Sequence, residues 1–336
     1  MTDTMSGVGA PMTRQQTARW LQTYDRYLLL CHAHPDGDTL GSAMGLRNLL
    51  RHMGKTAHVI CASPVPFRLS FITEERQSIL LEQIPGGFLW DKIISVDVAS
   101  PSLLGAYAVP FGEAGHVDLA IDHHPSFEGF GKANIVRPEA AACGELLYDI
   151  LASLGPITAQ IALPLYVAVS TDTGCFAYNN TGAQTHAVAA ALMRTGIDFK
   201  TVNKVFFRTK TRKRMQLEGA MLSTCEFFDR DRVAVLSVPI SLMERLEATE
   251  SDAEELSSLG GQIEGTDCAV TFRELRPDVW KMSVRTGERI NATKVCAMLG
   301  GGGHAAAAGC TVEAPWQQVK EQILAAVAAN ASDFEA

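Results

Sequence analysis

The chain has 336 residues, 47% of them hydrophobic and 20% charged, which is enough for a substantial core and for two domains of ordinary size. A formal net charge of −8 argues against a basic face for long duplex nucleic acid. No uninterrupted apolar run nears the roughly 20 residues a membrane helix needs, so small ligands and a cytoplasmic, membrane-free setting are expected. The eight cysteines, at 31, 61, 143, 175, 225, 268, 296 and 310, contain no C-x-x-C pair and sit among apolar neighbours, which excludes a zinc ribbon and suits reduced, buried thiols.

In chain order, residues 1–12 lack both a basic start and an apolar segment, so a mobile tail is expected there and not a signal peptide. The run 26–32 reads as a strand. A helix follows, with Leu40, Met44, Leu46, Leu49, Leu50 and Met53 along one side and Gly54 closing it. The runs 57–62, 92–97 and 117–122 are apolar and end in turn or polar residues. Such runs suit strands covered on both faces, so the first half reads as a mostly parallel sheet flanked by helices. Residues 142–155 and 181–196 read as further helices. The run 161–171 is too apolar throughout for its period to choose between helix and strand.

After about residue 196 the pattern changes. The basic run Arg208–Arg214 reads as a solvated linker or helix face. The runs 232–238, 267–275 and 279–286 read as strands, the last two joined as a hairpin across Arg276-Pro277-Asp278. A terminal helix follows, with Trp316, Val319, Ile323, Leu324 and Val327 as its buried stripe. The expected division is therefore a first domain at 1–195, a linker at 196–214 and a smaller C-terminal α/β domain at 215–336.

The chemistry lies in where the acids and imidazoles fall. His32, His34, Asp36 and Asp38 follow the first strand directly. Asp97 ends a second strand, Asp122-His123-His124 ends a third, and Asp172 adds a fourth position. Neighbouring parallel strands deliver their carboxyl ends to one crevice, where such folds bind ligands. Carboxylates gathered there repel one another, and no basic residue is interleaved, so divalent cations are the economical counter-charge. Carboxylates and imidazoles without a thiolate suit manganese or magnesium, with cobalt or iron as alternatives. Two ions roughly 4 Å apart, bridged by one carboxylate, can activate water and clamp the leaving oxygen of a phosphate. The helix starting near Thr39 is expected to turn free N–H groups toward the same place.

These residues carry a resemblance. His-x-x-x-Asp-x-Asp at 32–38, the lone Asp97, Asp-His-His at 122–124 and the later Asp172 resemble the DHH phosphoesterase superfamily. Residues 288–309, with Gly301-Gly302-Gly303-His304, resemble its DHH-associated domain. The motifs occur in the family's order and span nearly the whole chain. Its length is similar to the NrnA-like branch, oligoribonucleases that also act on 3′-phosphoadenosine 5′-phosphate, with relatives that cleave dinucleotides. The resemblance implies that His32, Asp36 and Asp97 hold one metal and that Asp38, Asp97, His123 and Asp172 hold the other. It also implies that His124 faces the scissile phosphate, that Asp122 orients a histidine, and that His34 has a supporting role. Arg285 and the loop Gly301-Gly302-Gly303-His304 would hold the substrate's distal phosphate or base, in a cleft between the domains. The expected assembly is a homodimer acting on a small nucleotide or short oligonucleotide, with two manganese ions, or magnesium or cobalt in their place.

The chain departs from that pattern at Ala177, where relatives often carry arginine, and at Ala141-Ala142-Cys143, where Ser and Thr are common. Both positions bear on nucleotide specificity and neither on the metal set. Two other readings compete: a family II-like inorganic pyrophosphatase, which shares the N-terminal motifs, and a silent nucleotide-binding regulatory module. A RecJ-type exonuclease would need a longer chain and a basic groove.

Overall fold

The computed structural model describes residues 9–73, 80–83, 88–113, 115–253, 256–287 and 289–331, and the chain divides into two units after Thr209. In the first unit, β1 (Ala10–Pro11), β2 (Tyr27–Leu30), β3 (Ala57–Ile60), β4 (Lys92–Val96), β5 (Leu119–Asp122) and β6 (Ala133–Val136) form one sheet. All pairings are parallel and the order is β1-β6-β5-β4-β2-β3. The chain leaves β2 toward one edge and, from β4 onward, builds toward the other. The β2/β4 boundary is thus the switch point where an open parallel sheet forms its crevice.

The four expected strands are present. Residues 1–8 of the expected tail lie outside the described residues, and Ala10-Pro11 is no tail: it pairs with Ala133-Asn134, and the Met12 amide donates to Asn134 O at 2.7 Å. Two residues are too short a run to carry a strand signal.

Helices α1 (Arg14–Thr23), α2 (Gly37–His52), α3 (Ala108–Phe111), α4 (Cys143–Leu151), α5 (Ala159–Asp172), α6 (Ala183–Arg194) and α7 (Phe199–Asn203) complete the unit, and α7 runs on into a π-helical turn over Lys204–Arg208. Helix α2 is not one-sided as its pattern suggests. Gly37 to Arg47, Leu49 and Leu50 are all buried, because the sheet covers one side and α4 and α5 the other. Gly37, Gly41 and Gly45 make the α5 contact possible. A Cβ on them would lie 2.1 Å from Thr171 Oγ1, 2.4 Å from Pro164 O and 2.7 Å from Leu165 Cδ2 respectively.

The undecided run 161–171 is helix α5. Its internal Pro164 cannot donate to Gln160 O, four residues earlier, and that carbonyl instead accepts from Asn48 Nδ2 of α2 at 2.8 Å. A helix buried on all sides loses its amphipathic period, which explains why the sequence leaves the choice open.

The second unit holds β7 (Glu226–Phe228), β8 (Val233–Val238), β9 (Cys268–Arg276), β10 (Val279–Thr286), β11 (Gly302–His304) and β12 (Ala307–Glu313), ordered β11-β12-β10-β9-β8-β7. Only β8–β9 is parallel. Helices α8 (Arg212–Ser223), α9 (Ile240–Arg245), α10 (Glu250–Ala253), α11 (Ala292–Ala297) and α12 (Trp316–Asn330) accompany it. The period of two along β8 splits its side chains between two cores. Val233 and Val235 join Val319, Ile323 and Val327 of α12, while Ala234 and Leu236 join Leu217 and Met221 of α8.

The basic run 208–214 is partly consumed internally, since Lys210 Nζ and Arg214 Nε each lie 2.7 Å from a Glu218 carboxylate oxygen. The expected glycine loop is also corrected. Gly302–His304 form a strand antiparallel to β12, and the alanine-rich residues after it extend as β12. All eight cysteines are free thiols, six of them buried. Among the described residues, no helix is long and apolar enough to cross a membrane.

Candidate metal centre

The carboxyl ends of β2, β4 and β5 bring the first-unit candidates together. Three groups of ligand atoms each fall within 4.8 Å: His32 with Asp36 and Asp97; Asp38 with His123 and Asp172; and Asp97 with His123 and His124. His34 is exposed and belongs to none of these groups.

Each side chain is aimed by its local backbone. Asp36 caps α2, and its Oδ1 accepts from the amides of Asp38 and Thr39, both at 3.0 Å. Those first-turn N–H groups are therefore occupied by the protein's own carboxylate and are not open to an anion, contrary to the sequence expectation. Asp38, 1% exposed, lies on the first turn of α2 and points inward. Its Oδ2 accepts from the Cys143 amide at 2.6 Å, and its Oδ1 from the Gly144 amide at 3.0 Å and Ser42 Oγ at 2.9 Å. Thr39 Oγ1 donates to Val96 O at 2.8 Å, which ties the start of α2 to the end of β4.

Asp97 follows β4 in a left-handed conformation, φ 59°, and its amide donates to Ile121 O at 2.9 Å. A non-glycine residue held there is a strained feature of the kind that clusters at functional sites. Asp122 Oδ1 accepts from the amides of His123 and His124 at 2.6 and 2.8 Å and lies 2.7 Å from His124 Nδ1.

His123 Nδ1 lies 3.1 Å from Ala140 O, so that nitrogen carries the proton and donates to the carbonyl. Its Nε2 then faces Asp38 Oδ2 and Asp97 Oδ1 at 3.5 Å and Asp172 Oδ2 at 3.6 Å. Carboxylate oxygens gathered around one imidazole nitrogen at these separations repel one another unless a positive charge sits among them. Among the described residues, none gives the buried Asp97 Oδ1 a hydrogen bond. Burial pushes the Asp97 carboxyl well above the usual carboxylate range, and Asp38, Asp36, Asp122 and Asp172 push it further. Burial, then Asp38 and Asp36, pushes Asp172 up to about 8. The donor set thus fits divalent cations, with hard oxygens, imidazole nitrogens and an orphaned buried oxygen between them.

In the second unit, Arg285 is half-buried on β10 and donates to Ser257 Oγ at 3.1 Å and Val284 O at 3.2 Å. Packing accounts for two of the glycines. A Cβ on Gly301 would lie 2.2 Å from Gly309 O, and one on Gly303, φ 143°, would lie 2.6 Å from Ala307 O. Gly302 faces open space. The side chain of His304 lies outside those described.

Sequence reading missed the groups that hold Asp38 and His123: Ser42 and the Cys143 and Gly144 amides on the carboxylate, and the Ala140 carbonyl on the imidazole. Three of these are backbone groups with no sequence signal. The four-residue spacing of Gly37, Gly41 and Gly45 is the signal that could have placed α5, and with it Asp172, against α2.

Fold, motif order and site define one class: the chain belongs to the DHH family. Residues 26–169 match the DHH family, N-terminal domain, and residues 231–333 match the DHHA1 domain. The chain is 33% identical to the bifunctional oligoribonuclease and PAP phosphatase NrnA of Thermus thermophilus, over 88% of this chain and 87% of that one. It is 23% identical to the Bacillus subtilis protein of the same name, over 93% of this chain and 96% of that one. The fold is shared with an exopolyphosphatase-related protein from Bacteroides fragilis, whose crystal structure aligns with a TM-score of 0.85 at 22% identity over 94% of this chain and 95% of that one.

Proposed function

We propose that the chain is a divalent-metal-dependent phosphoesterase that hydrolyses short oligoribonucleotides, 3′-phosphoadenosine 5′-phosphate or dinucleotides. The observation that carries this reading is the pairing of two three-residue groups, His32-Asp36-Asp97 and Asp38-His123-Asp172, at one sheet edge. The activity named for its 33%-identical relative supports the substrate class. In this reading His32, Asp36 and Asp97 hold one ion, and Asp38, Asp97, His123 and Asp172 hold the other, with Asp97 shared. Manganese suits the oxygen and imidazole donors, with magnesium or cobalt as alternatives. The ions supply positive charge that activates water and stabilises the phosphate in its transition state. His124 is the imidazole beside the scissile phosphate, and Asp122 holds its ring through Nδ1. Arg285, Gly301, Gly302, Gly303 and His304 bind the substrate's phosphate or base, a role in which packing already explains Gly301 and Gly303. A homodimer in the cytoplasm belongs to the same proposal.

The test is a parallel turnover assay after chelation, with manganese, magnesium or calcium restored. Substrates are 3′-phosphoadenosine 5′-phosphate, oligoribonucleotides of about two to five residues, cyclic dinucleotides and pyrophosphate. The expected products are 5′-mononucleotides or free phosphate, with manganese restoring more activity than calcium, which prefers more ligands. Turnover of pyrophosphate alone would favour the pyrophosphatase reading. Turnover of nothing would favour a regulatory module.

A further inference from the structure

Between α5 and α6 the chain passes through Gly174, Cys175 and Phe176 with φ of 56°, 58° and 67°, three successive left-handed residues of which two carry side chains. Such a turn persists only where its surroundings fix it. Here the Cys175 amide donates to Ser170 O at 2.7 Å, and the amides of Ala177 and Tyr178 donate to Thr173 O at 2.9 and 3.0 Å. Asn180 Nδ2 donates to Asp172 O at 3.1 Å and to Ala141 O at 2.9 Å. The turn is thereby laced to Asp172 itself and to the segment just before Cys143, whose amide holds Asp38.

The two aromatic side chains of this turn have different fates. Phe176 packs inward, stacked on His186 with centroids 5.3 Å apart. Tyr178 is 57% exposed. Its ring nonetheless has a fixed seat, because a Cβ on Gly174 would lie 2.4 Å from Tyr178 Cζ, so the ring covers that backbone. The turn that seats this solvent-open ring follows directly on Asp172, whose backbone carbonyl Asn180 holds, so the ring leaves π surface available to a flat ligand. The flat ligand that pairs with such a surface, and that a nucleotide substrate carries, is its base.

We infer that Tyr178 is the platform on which a nucleobase of the substrate stacks while its phosphate lies at the metal centre. This inference rests on the phosphoesterase reading and adds to it the group that distinguishes nucleotides from other phosphate esters.

The experiment compares wild type, Tyr178→Phe and Tyr178→Ala, each with manganese, on a ribonucleoside 3′,5′-bisphosphate and on the same bisphosphate lacking its base. Removing a stacking ring should raise KM for the base-bearing compound by about ten- to hundredfold. Turnover of the baseless compound should be unchanged in both variants, and Tyr178→Phe should match wild type on both. Equal losses on both compounds, no loss on either, or a Tyr178→Phe variant as impaired as Tyr178→Ala would overturn the stacking role alone. Wild-type failure on both compounds would overturn this inference, and failure on short oligoribonucleotides and dinucleotides as well would overturn the phosphoesterase reading with it.

Discussion

The amide of Cys143 donates to Asp38 Oδ2 at 2.6 Å, across more than a hundred residues of chain, so the first turn of α4 holds a carboxylate presented by the first turn of α2. Gly144 N and Ser42 Oγ complete the hold on Oδ1. Three donors on one buried carboxylate fix its orientation, the role that outer partners play for metal ligands. Of the three, only Ser42 acts through a side chain. Ser42→Ala should weaken manganese binding by about tenfold while the protein stays folded, because the two amides remain. Calorimetric titration with manganese checks this. An unchanged affinity would remove Ser42 from the positioning role.

The acid cluster also predicts how stability depends on pH. Asp172 is pushed up to about 8, and burial together with the neighbouring carboxylates raises Asp97 and Asp38 as well. A carboxyl raised in the folded state contributes stability that is complete below its unfolded pKa of about 4. That contribution is lost as pH climbs through the folded value. Metal-free protein should therefore melt at progressively lower temperature from about pH 5 to pH 8. Manganese bound at this cluster would displace the same protons, so its stabilising effect should be small at the acid end and largest near pH 8. Melting curves with and without manganese at both ends of this range check it. An equal manganese shift at both ends would mean that these carboxyls are not the ions' seat.

The α2–α5 contact offers a separate test. A Cβ on Gly41 would lie 2.4 Å from Pro164 O and 2.9 Å from Ala168 N, and backbone atoms cannot swing aside as a side chain can. Gly41→Ala should cost about 1–3 kcal/mol in stability by overpacking. It should also weaken manganese binding, since α5 carries Asp172. Gly219 of α8 has open space where a Cβ would go, so Gly219→Ala should be neutral or stabilise by up to about 1 kcal/mol. Denaturant unfolding of the two variants side by side decides whether Gly41 serves close approach.

The contrast between these residues shows what a sequence yields here and why. The strands around Leu29, Ile94 and Ile121 are legible because a central parallel strand is apolar throughout and stops at a polar residue. The convergence of His32, Asp97 and Asp122 follows from that, since all three lie at or just beyond such strand ends. Helix α5 is illegible as a helix because burial on every side removes its period, and β1 because two residues carry none. The Gly301–His304 run reads as a loop from its glycines alone. The need for Gly301 and Gly303 comes instead from β12, whose backbone passes too close for a Cβ. The positioning of Asp38 is hidden for another reason: most of its partners are amides, which any residue supplies.

Asp97 is the residue on which the two-ion reading depends most. It is 3% exposed, its Oδ1 has no hydrogen-bond partner among the described residues, and it belongs to the group with His32 and Asp36 and to the group with His123 and His124. Its left-handed backbone makes the choice of substitution important. Alanine would add conformational strain to the loss of charge, whereas asparagine tolerates that conformation and keeps the shape of the side chain. Asp97→Asn should therefore fold, and in the metal-free state it should be at least as stable as wild type, because it removes one member of a mutually repelling cluster. With manganese it should bind the ions weakly and lose activity by several orders of magnitude, since a neutral amide cannot serve as the shared anionic ligand. Thermal melting without metal, manganese titration and turnover on the preferred substrate form one set of measurements. Near-normal turnover by a folded Asp97→Asn variant would defeat the two-ion assignment. Loss of activity with intact manganese binding would instead assign Asp97 a role at the substrate.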